Sequence, residues 1–532
     1  MLSMKRFFGL KRPKHEHPGV VQDNDSSFTH EPSDTSSATS FWQNVKRIFY
    51  KYLSFIGPGI MVSVAYMDPG NYATDISAGA ANEFSLLFII SLSCLIAVFL
   101  QSLCVKLGSV TGLDLSRACR HFLPRWLNWF IYICAEVAVI ATDLAEVIGG
   151  AIALNILLKI PLPAGICITC VDILIVLLAY GRGSSSMRMV RIFEIFVAAL
   201  VIAVAICLCV DLAYIPPVSA GRVLRGFLPS KQMFQNNGFY TATGILGATV
   251  MPHSLFLGSG IVQPRLLEYD VKNGNYSMDI NSDDNTIASG EKKSRVMQKD
   301  AKFLAYRPSI YAIRYAIKYS IVELTVTLVS LALFINCAIL IIAGASLYET
   351  EQAVDADLYT IHKLLSSTLA PAAGTVFMLA LLFSGQSSGV VCTIAGQIVC
   401  EGHINWSITP WKRRLITRGI AIVPTLVIAS CLGKTALGTA LTASQVVLSF
   451  ILPIVTAPLI YFTSRKSIMQ VEADPKNHRD GHEVENNMDN ENNQEYINMS
   501  NNWFITAVAI VFWIFIAVLN IFTIVELFQG RN

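Results

Sequence analysis

The stretch Tyr240-Thr-Ala-Thr-Gly-Ile-Leu-Gly-Ala-Thr-Val-Met-Pro-His-Ser-Leu-Phe-Leu-Gly-Ser-Gly260 decides the fold. It is long and apolar enough to cross a bilayer, but Gly244 and Gly247 loosen it as a helix, and Pro252 removes a backbone donor and clashes with the preceding turn. A break inside hydrocarbon persists only where protein, water or an ion satisfies the freed backbone groups. The break carries the thioether of Met251 and the imidazole of His253. For this segment alone, an ordinary proline kink is an equally good interpretation.

A second apolar segment, from Phe55 to Ala81, is interrupted in a similar way at Asp68-Pro-Gly-Asn71. Two interrupted spans at corresponding positions of two halves are typical of transporters built from inverted repeats, with the substrate site near the bilayer midplane. A carboxylate at this depth is costly and marks a functional site by default. The residues on both sides of Asp68 are apolar, which disfavours the alternative that it only ends a helix at the membrane surface.

Composition and charge distribution indicate a polytopic helical membrane protein. Of the 532 residues, 53% are hydrophobic and 14% are charged, which is far from the average of soluble proteins. The charges are concentrated in both tails and a few loops, and no basic stripe suggests a nucleic-acid partner. The sequence contains no P-loop, zinc-protease or hydrolase nucleophile motif, so it predicts neither an enzyme nor a bound cofactor.

Hydropathy predicts about eleven membrane spans. The first ten divide into two groups of five, each beginning with a broken helix, and an odd number per group makes the repeat inverted. The eleventh span stands outside this count, and a peripheral position is one interpretation of it. The predicted spans lie near residues 53–80, 85–107, 127–158, 164–180, 192–214, 239–262, 316–345, 367–400, 415–432, 438–463 and 503–528.

The predicted domain organisation follows from this count and from the polar segments. Lys and Arg are concentrated in the loops that would be cytosolic if the N-terminus is cytosolic. The polar segments are poor in aliphatic residues and are predicted to be disordered sites for cytosolic regulators. The sequence is compatible with the plasma, endosomal or vacuolar membrane. The predicted parts are a disordered cytosolic tail (1–48), a first five-helix repeat (49–215), a second repeat (216–465) with a disordered cytosolic loop (268–300), a disordered cytosolic linker (466–501), and the eleventh helix with a short end (502–532).

Asp68, Asn71 and Met251 form the predicted binding site at the junction of the two breaks. They offer a carboxylate, an amide oxygen and a soft sulfur, and unwound carbonyls such as those of Tyr66 or Ala248 can join them. Mg²⁺ and Ca²⁺ prefer all-oxygen sites and gain little from a thioether. The mixed donor set therefore favours Mn²⁺, Fe²⁺, Co²⁺ or Cd²⁺.

Three acidic residues of the third span form a predicted proton route. Glu136, Asp143 and Glu146 are spaced i, i+7 and i+10, which places them within about 80° on one helix face over roughly 15 Å. Acids inside a membrane need protons or cations, so a relay is favoured over packing. The alternative is pairing with a buried base, for which Arg418 in the ninth span is the candidate.

Two further polar residues are ambiguous from their spacing. His253 is either a proton carrier near neutral pH or a satisfied core histidine. Gln445 is a lone amide in the apolar stretch from Ala443 to Pro453, and it either completes a coordination shell or bridges helices.

Four stretches resemble the signature motifs of the Nramp family, which are proton-coupled divalent-metal transporters with a LeuT-type fold. The resemblance extends from about residue 50 to 465, and Met251 to Arg265 is similar to the fungal branch with its yeast manganese and iron transporters. The motifs are Asp68-Pro-Gly-Asn71, Ala141-Thr-Asp-Leu-Ala-Glu146, Gly247-Ala-Thr-Val-Met-Pro-His253 and Ser444-Gln-Val-Val-Leu-Ser449.

The resemblance implies an all-α, 5+5 inverted-repeat fold with discontinuous first and sixth helices. It also implies roles for individual residues. Asp68, Asn71, Met251 and the Ala248 carbonyl would hold the metal, with Gln445 as a conformation-dependent ligand. The implied proton pathway consists of Asp143, Glu146 and Glu136, supported by Arg418 and His253.

The predicted function is symport of Mn²⁺ or Fe²⁺, and also of Co²⁺ or Cd²⁺, with protons into the cytosol. One alternative is an organic-solute transporter on the same plan, although Asp68 would repel a substrate carboxylate. Another is a membrane receptor that binds metal without moving it. Many family members carry a second histidine five residues after His253, whereas this chain has Gly258, which predicts looser proton coupling.

Overall fold

Helices make up nearly all of the chain that the structure describes. The computed structural model describes residues 58–169, 171, 187–231, 238–276, 306–348, 350, 357–369, 371–405, 410–431, 433–472 and 496–529. The helices are α1 (Pro58–Val64), α2 (Pro69–Asn82), α3 (Leu87–Thr111), α4 (Leu115–Phe122), α5 (Arg125–Leu158), α6 (Met187–Tyr214), α7 (Ala220–Gly226), α8 (Gly238–Thr249), α9 (Pro252–Gly260), α10 (Gln263–Lys272), α11 (Ile310–Thr327), α12 (Leu333–Leu347), α13 (Leu358–Leu364), α14 (Pro371–Ile404), α15 (Pro410–Cys431), α16 (Gly433–Ser464) and α17 (Trp503–Phe528). Short π-helical segments, Leu328–Ala332 and Leu365–Leu369, follow α11 and α13, and two strands, β1 (Gln470–Glu472) and β2 (Tyr496–Asn498), precede α17.

Both interrupted spans are discontinuous helices. The first consists of α1 and α2, and the second of α8 and α9. In each, the second half begins with a proline, Pro69 or Pro252, in its first turn. A proline fits there because the first helical N–H groups have no partner within the helix, whereas inside a helix the ring clashes with the preceding turn. The prediction of two broken helices is confirmed.

The described helices include eight segments that are long and apolar enough to cross a membrane. Together with the two discontinuous helices, these segments agree with the predicted all-α membrane fold of LeuT type. The first residues of the predicted span 53–80 and most of the predicted span 164–180 lie outside the described residues. The eight segments are Leu87–Thr111, Arg125–Leu158, Glu194–Tyr214, Gly238–Lys272, Ile310–Leu347, Pro371–Ile404, Ala436–Ser464 and Trp503–Phe528.

Small residues allow the broken helices to pack closely against continuous ones. Helix α2 packs against α12, and a Cβ added to Gly79 would lie 2.6 Å from the carbonyl oxygen of Leu340. Helix α8 packs against α16, and a Cβ on Gly247 would overlap the backbone carbonyl of Gln445. Close backbone approach at small residues is typical of membrane helices, because it replaces the missing hydrophobic driving force with van der Waals contact.

The ordered structure extends into both polar segments that were predicted to be disordered. Helix α10 continues to Lys272, and Asp270 accepts hydrogen bonds from the Tyr306 hydroxyl at 2.6 Å and from the Ser309 hydroxyl at 2.5 Å. Burial and the bond to Asp270 raise the pKa of Tyr306. A predicted loop start at residue 268 is therefore too early, because Asp270 anchors both ends of the loop.

The ends of the predicted linker 466–501 also form regular structure. Strands β1 and β2 pair antiparallel, with Val471 opposite Ile497, and the backbone N–H of Asn501 donates to the carbonyl of Thr463 at 2.9 Å. Composition alone does not reveal these backbone hydrogen bonds, because they join residues that are far apart in the sequence. Residues 473–495, the tail 1–48 and the loop from 277 to 305 lie outside the described residues.

The eleventh helix, α17, packs on α16 and α8 through buried polar contacts. The Asn520 amide accepts from the Ser449 hydroxyl at 2.7 Å and donates to the Ser449 carbonyl at 2.7 Å. The hydroxyls of Thr523 and Thr243 lie 2.6 Å apart. Much of α17 is exposed, including Trp503 and Phe504, so a peripheral position stays a prediction, but these contacts attach the helix firmly to α16 and α8.

Candidate functional site

The first break directs two oxygen atoms into a buried space. Asp68 caps α2, and its Oδ1 accepts from the backbone N–H of Asn71 at 3.0 Å. The Asn71 amide nitrogen donates to the Tyr66 carbonyl at 2.7 Å and to Asn336 Oδ1 at 3.1 Å. Asp68 Oδ2 and Asn71 Oδ1 have no hydrogen-bond partner among the described residues. Both side chains are buried, so these two oxygens are available for a ligand.

The second break lies next to the first. Met251 and Ala248 are buried, and the Met251 carbonyl accepts from the Ser254 hydroxyl at 2.7 Å. That hydroxyl lies 3.1 Å from the hydroxyl of Tyr66 in the first break. The amide nitrogen of Gln101 on α3 donates to Tyr66 at 2.8 Å and to the Ser254 hydroxyl at 3.0 Å. This network fixes the two breaks side by side.

Gln445 on α16 lies against both breaks. Its carboxamide occupies the space that a Cβ on Gly70 would fill, and its backbone carbonyl occupies the space of a Cβ on Gly247. Its Oε1 is buried and has no hydrogen-bond partner among the described residues. The position therefore favours a ligand role for Gln445 over helix bridging. Asp68, Asn71 and Gln445 together supply three such oxygens.

The structure adds residues that the sequence did not single out. Asn336 on α12 donates to the Tyr66 carbonyl at 3.2 Å, and Ser384 on α14 donates to the carbonyl of Met67. The Tyr66 carbonyl, expected as a possible metal ligand, is thus already bonded to two amides. Asn336 is the lone asparagine in the apolar stretch from Leu333 to Leu347, and this isolated polar residue could have identified it from the sequence.

Two of the three acids predicted for the proton route converge with a cysteine. Asp143, Glu146 and Cys392 each offer one ligand atom, and these atoms all lie within 4.8 Å of one another. The Cys392 thiol donates to Asp143 Oδ1 at 3.5 Å. Glu136 is half-buried on the same helix, α5, two turns from Asp143. Cys392, on a helix rich in small residues, gave no signal in the sequence.

His253 connects this route with the second break. Its Nδ1 lies 3.3 Å from the Thr142 hydroxyl, which already donates to the Ala138 carbonyl at 3.0 Å. The hydroxyl therefore accepts from His253, which assigns the imidazole proton to Nδ1. Asp143 lies within electrostatic range of the ring, and Glu146 lies within electrostatic range of Asp68.

Two expectations from the sequence concern residues next to this route. Arg418 lies on α15, but its side chain lies outside the described residues. Gly258 stands where a second histidine was expected from the resemblance. A Cβ at Gly258 would overlap Gln101 Oε1, so Gln101 fills this space in the present chain.

Comparison with known proteins identifies relatives along almost the whole chain. Residues 59–476 match the family model described as Nramp, natural resistance-associated macrophage protein-like. The chain is 57% identical over 526 residues to manganese transporter SMF1 of Saccharomyces cerevisiae, covering 94% of this chain and 90% of that one. It is 46% identical over 492 residues to iron transporter SMF3 of the same yeast, covering 91% and 98%.

A solved structure agrees with this assignment. The manganese transporter of Eremococcus coleocola superimposes with a TM-score of 0.68 at 28% sequence identity, covering 94% of this chain and 91% of that one. The motifs at the two breaks, the extent of the family match and the identity to the yeast proteins agree with one another. The chain is a member of the Nramp family, on its fungal branch.

Proposed function

We propose that the chain moves a divalent transition metal, Mn²⁺ or Fe²⁺, into the cytosol together with protons. Membership of this family makes it a multi-pass membrane transporter rather than an enzyme. The observation that carries the proposal is the set of three buried oxygens, from Asp68, Asn71 and Gln445, without a partner among the described residues. Buried polar atoms are nearly always bonded, so exceptions at one junction favour a transient ligand.

The donor set suits a partly dehydrated transition-metal ion. The carboxylate of Asp68 supplies charge, the amides of Asn71 and Gln445 supply neutral oxygens, and the Ala248 carbonyl can complete the shell. The thioether of Met251 favours softer ions over Mg²⁺ and Ca²⁺. Co²⁺ and Cd²⁺ fit the same donors. The metal is the substrate, and the proposal requires no cofactor.

The proposed proton route couples the movement of the metal to the movement of protons. Asp68 lies within electrostatic range of Glu146, which clusters with Asp143. Binding of a divalent ion at Asp68 favours its deprotonated form, so a proton is displaced toward these acids. His253 accepts a proton at Nε2, because its Nδ1 donates to the Thr142 hydroxyl. Glu136 and Arg418 extend the route.

Transport requires the broken helices to move relative to the others. We infer that α1, α2, α8 and α9 rock against α5 and α14, which opens the site to one side at a time. With the N-terminus in the cytosol, a divalent ion moving inward gains about 4.6 kcal/mol per 100 mV of inside-negative potential. The polar tails and the loop near residues 268–300 are the proposed binding regions for cytosolic regulators, and the lipid bilayer surrounds the apolar helices.

The names of the relatives support both candidate metals. One yeast relative is named a manganese transporter and another an iron transporter. Plasma, endosomal and vacuolar membranes all fit the proposed direction, because in each case the cytosol receives the metal.

Metal uptake by the purified protein in vesicles tests the proposal. With an acid-outside gradient, we expect Mn²⁺ uptake accompanied by acidification of the vesicle interior. Met251→Ala and the volume-matched Met251→Leu both remove the sulfur, so each should lower the preference for Cd²⁺ over Ca²⁺ by about tenfold, equivalent to about 1.4 kcal/mol. An unchanged preference in both variants would remove the thioether from the site. Uptake that stays at background in wild type would favour a receptor.

A further inference from the structure

A second group of side chains with potential metal-ligand atoms lies between α5 and α14. We call Asp143, Glu146 and Cys392 the acid–thiol cluster. Its three ligand atoms lie within 4.8 Å of one another, and the side chains are 0%, 3% and 1% exposed. The acids come from α5 and the thiol from α14, so two packed helices hold the atoms in place.

One distance inside the cluster matches the separation of two ligands of a tetrahedral ion. A zinc ion has Zn–S distances near 2.3 Å and Zn–O distances near 2.0–2.2 Å, so two ligands at the tetrahedral angle are separated by about 3.5 Å. Cys392 Sγ and Asp143 Oδ1 are separated by 3.5 Å. Glu146 offers the third ligand atom within 4.8 Å of the other two, and water can supply the fourth.

We propose that the acid–thiol cluster is a second divalent-cation site, selective for thiophilic ions such as Zn²⁺ and Cd²⁺, and that its occupation inhibits transport. Thiolate ligands favour Zn²⁺ and Cd²⁺, whereas Mn²⁺ prefers carboxylate and carbonyl oxygens. The ion selectivity of the cluster therefore differs from that of the transport site, where the sulfur is a neutral thioether. None of its residues belongs to the proposed transport site.

Binding converts the thiol to a metal thiolate. The S–H bond breaks as the S–metal bond forms, and one proton leaves to solvent without any change of oxidation state. Asp143 and Glu146 then coordinate the ion and can no longer pass protons. The inhibitory effect rests on the proposed proton route, but the binding itself does not.

Cd²⁺ binding to the purified full-length protein tests the site directly. Wild type should bind two equivalents and show the ultraviolet charge-transfer absorption of a Cd–thiolate bond, with release of protons. Cys392→Ser keeps a hydroxyl donor to Asp143 but removes the thiolate, so it should bind one equivalent without this absorption. Cys431→Ser, which changes an exposed thiol, corrects for surface binding. Equal absorption in wild type and Cys392→Ser would overturn the proposal.

The two sites can be separated by variants and by inhibition kinetics. Met251→Ala should weaken binding at the transport site and leave the thiolate absorption intact. If Met251→Ala binds both equivalents like wild type while Cys392→Ser loses one, the thioether is not a ligand of the transport site and the cluster stands. In Mn²⁺ uptake, Zn²⁺ should lower the maximal rate of wild type, whereas inhibition of Cys392→Ser should be competitive and need about tenfold more Zn²⁺. Identical inhibition of both proteins would exclude the inhibitory role.

Discussion

Gly70 is the residue that lets Gln445 reach the first break. A Cβ at this position would overlap the Gln445 carboxamide, so Gly70→Ala should displace the proposed ligand while Asp68 keeps its capping bond. Loss of one neutral ligand with an intact carboxylate should raise the KM for Mn²⁺ by about tenfold, equivalent to about 1.4 kcal/mol. Uptake rates measured over a range of Mn²⁺ concentrations check this expectation.

Gly385→Ala is the matched control for that variant. Its Cβ would lie 3.4 Å from Pro69 Cγ, an ordinary contact beside the same break. We expect a KM close to that of wild type. A similar rise of KM in both variants would attribute the effect to general crowding around the first break instead of to Gln445.

Asp143 distinguishes proton movement from metal binding. Asp143→Asn keeps the size of the side chain and its capacity to accept from Cys392, but it no longer exchanges a proton at neutral pH. Proton influx during Mn²⁺ uptake should fall at least about a hundredfold, the lower end of the usual contribution of a positioned acid–base group. Mn²⁺ affinity, measured by binding, should change little. An equal loss of affinity and proton influx would contradict a separate relay.

Single residues differ in how clearly the sequence identified them. Asp68 was a candidate because a carboxylate inside hydrocarbon is too costly to persist for packing alone. Met251 became a candidate only because a second broken span accompanies the first. Gln445 remained ambiguous, since a lone amide serves a ligand or a helix contact equally well. Cys392 was not identifiable, because its proximity to Asp143 depends on the packing of two helices far apart in sequence.

Among the helices, α1 is held in place by a buried acid. Glu323 on α11 accepts from the backbone N–H of Gly59 at 3.0 Å and forms an ion pair with Arg265 on α10 at 3.1 Å. The two carboxylate oxygens thus connect the first half of one broken helix to the helix that follows the other. Both partners of the pair are largely buried, so removing one partner is costly.

Glu323→Ala should release α1 from this contact. We expect faster hydrogen exchange of the α1 amides, because they lose the acceptor that holds the start of the helix. Glu323→Gln retains an oxygen that can accept from Gly59 and should therefore lie between Ala and wild type. Hydrogen exchange measured by mass spectrometry checks the order of the three proteins. Equal exchange in all three would show that other contacts hold α1.

The broken helices were predictable as elements, but their neighbours were not. Proline position and apolar length are local properties, so both breaks and their second halves could be located from the sequence alone. The polar ends of 268–300 and 466–501 were misassigned because Asp270 and the β1–β2 pair gain their stability from distant residues. The same reason explains why the contacts of Glu323 had no signal in the sequence.

At the scale of the whole molecule, the residues of the proposed site lie on the two broken helices and on α16, and α17 packs against two of these elements. This helix contacts α8, which carries Ala248, and α16, which carries Gln445. A chain built from the repeats alone would leave the Ser449 hydroxyl and the Thr243 hydroxyl facing lipid. In a bilayer, such exposed polar groups are disfavoured because water does not replace the lost partners.

Ending the chain before Trp503 should therefore destabilise the transporter rather than merely shorten it. Each buried hydrogen bond that loses its partner costs about 1–3 kcal/mol, and the Asn520–Ser449 pair alone contains two bonds. We expect a lower melting temperature in detergent and loss of Mn²⁺ uptake. Removing only residues 529–532 is the control and should leave both unchanged, since these residues follow the end of α17 at Phe528. Wild-type stability and uptake after complete removal of α17 would mean that the two repeats pack into a functional unit by themselves.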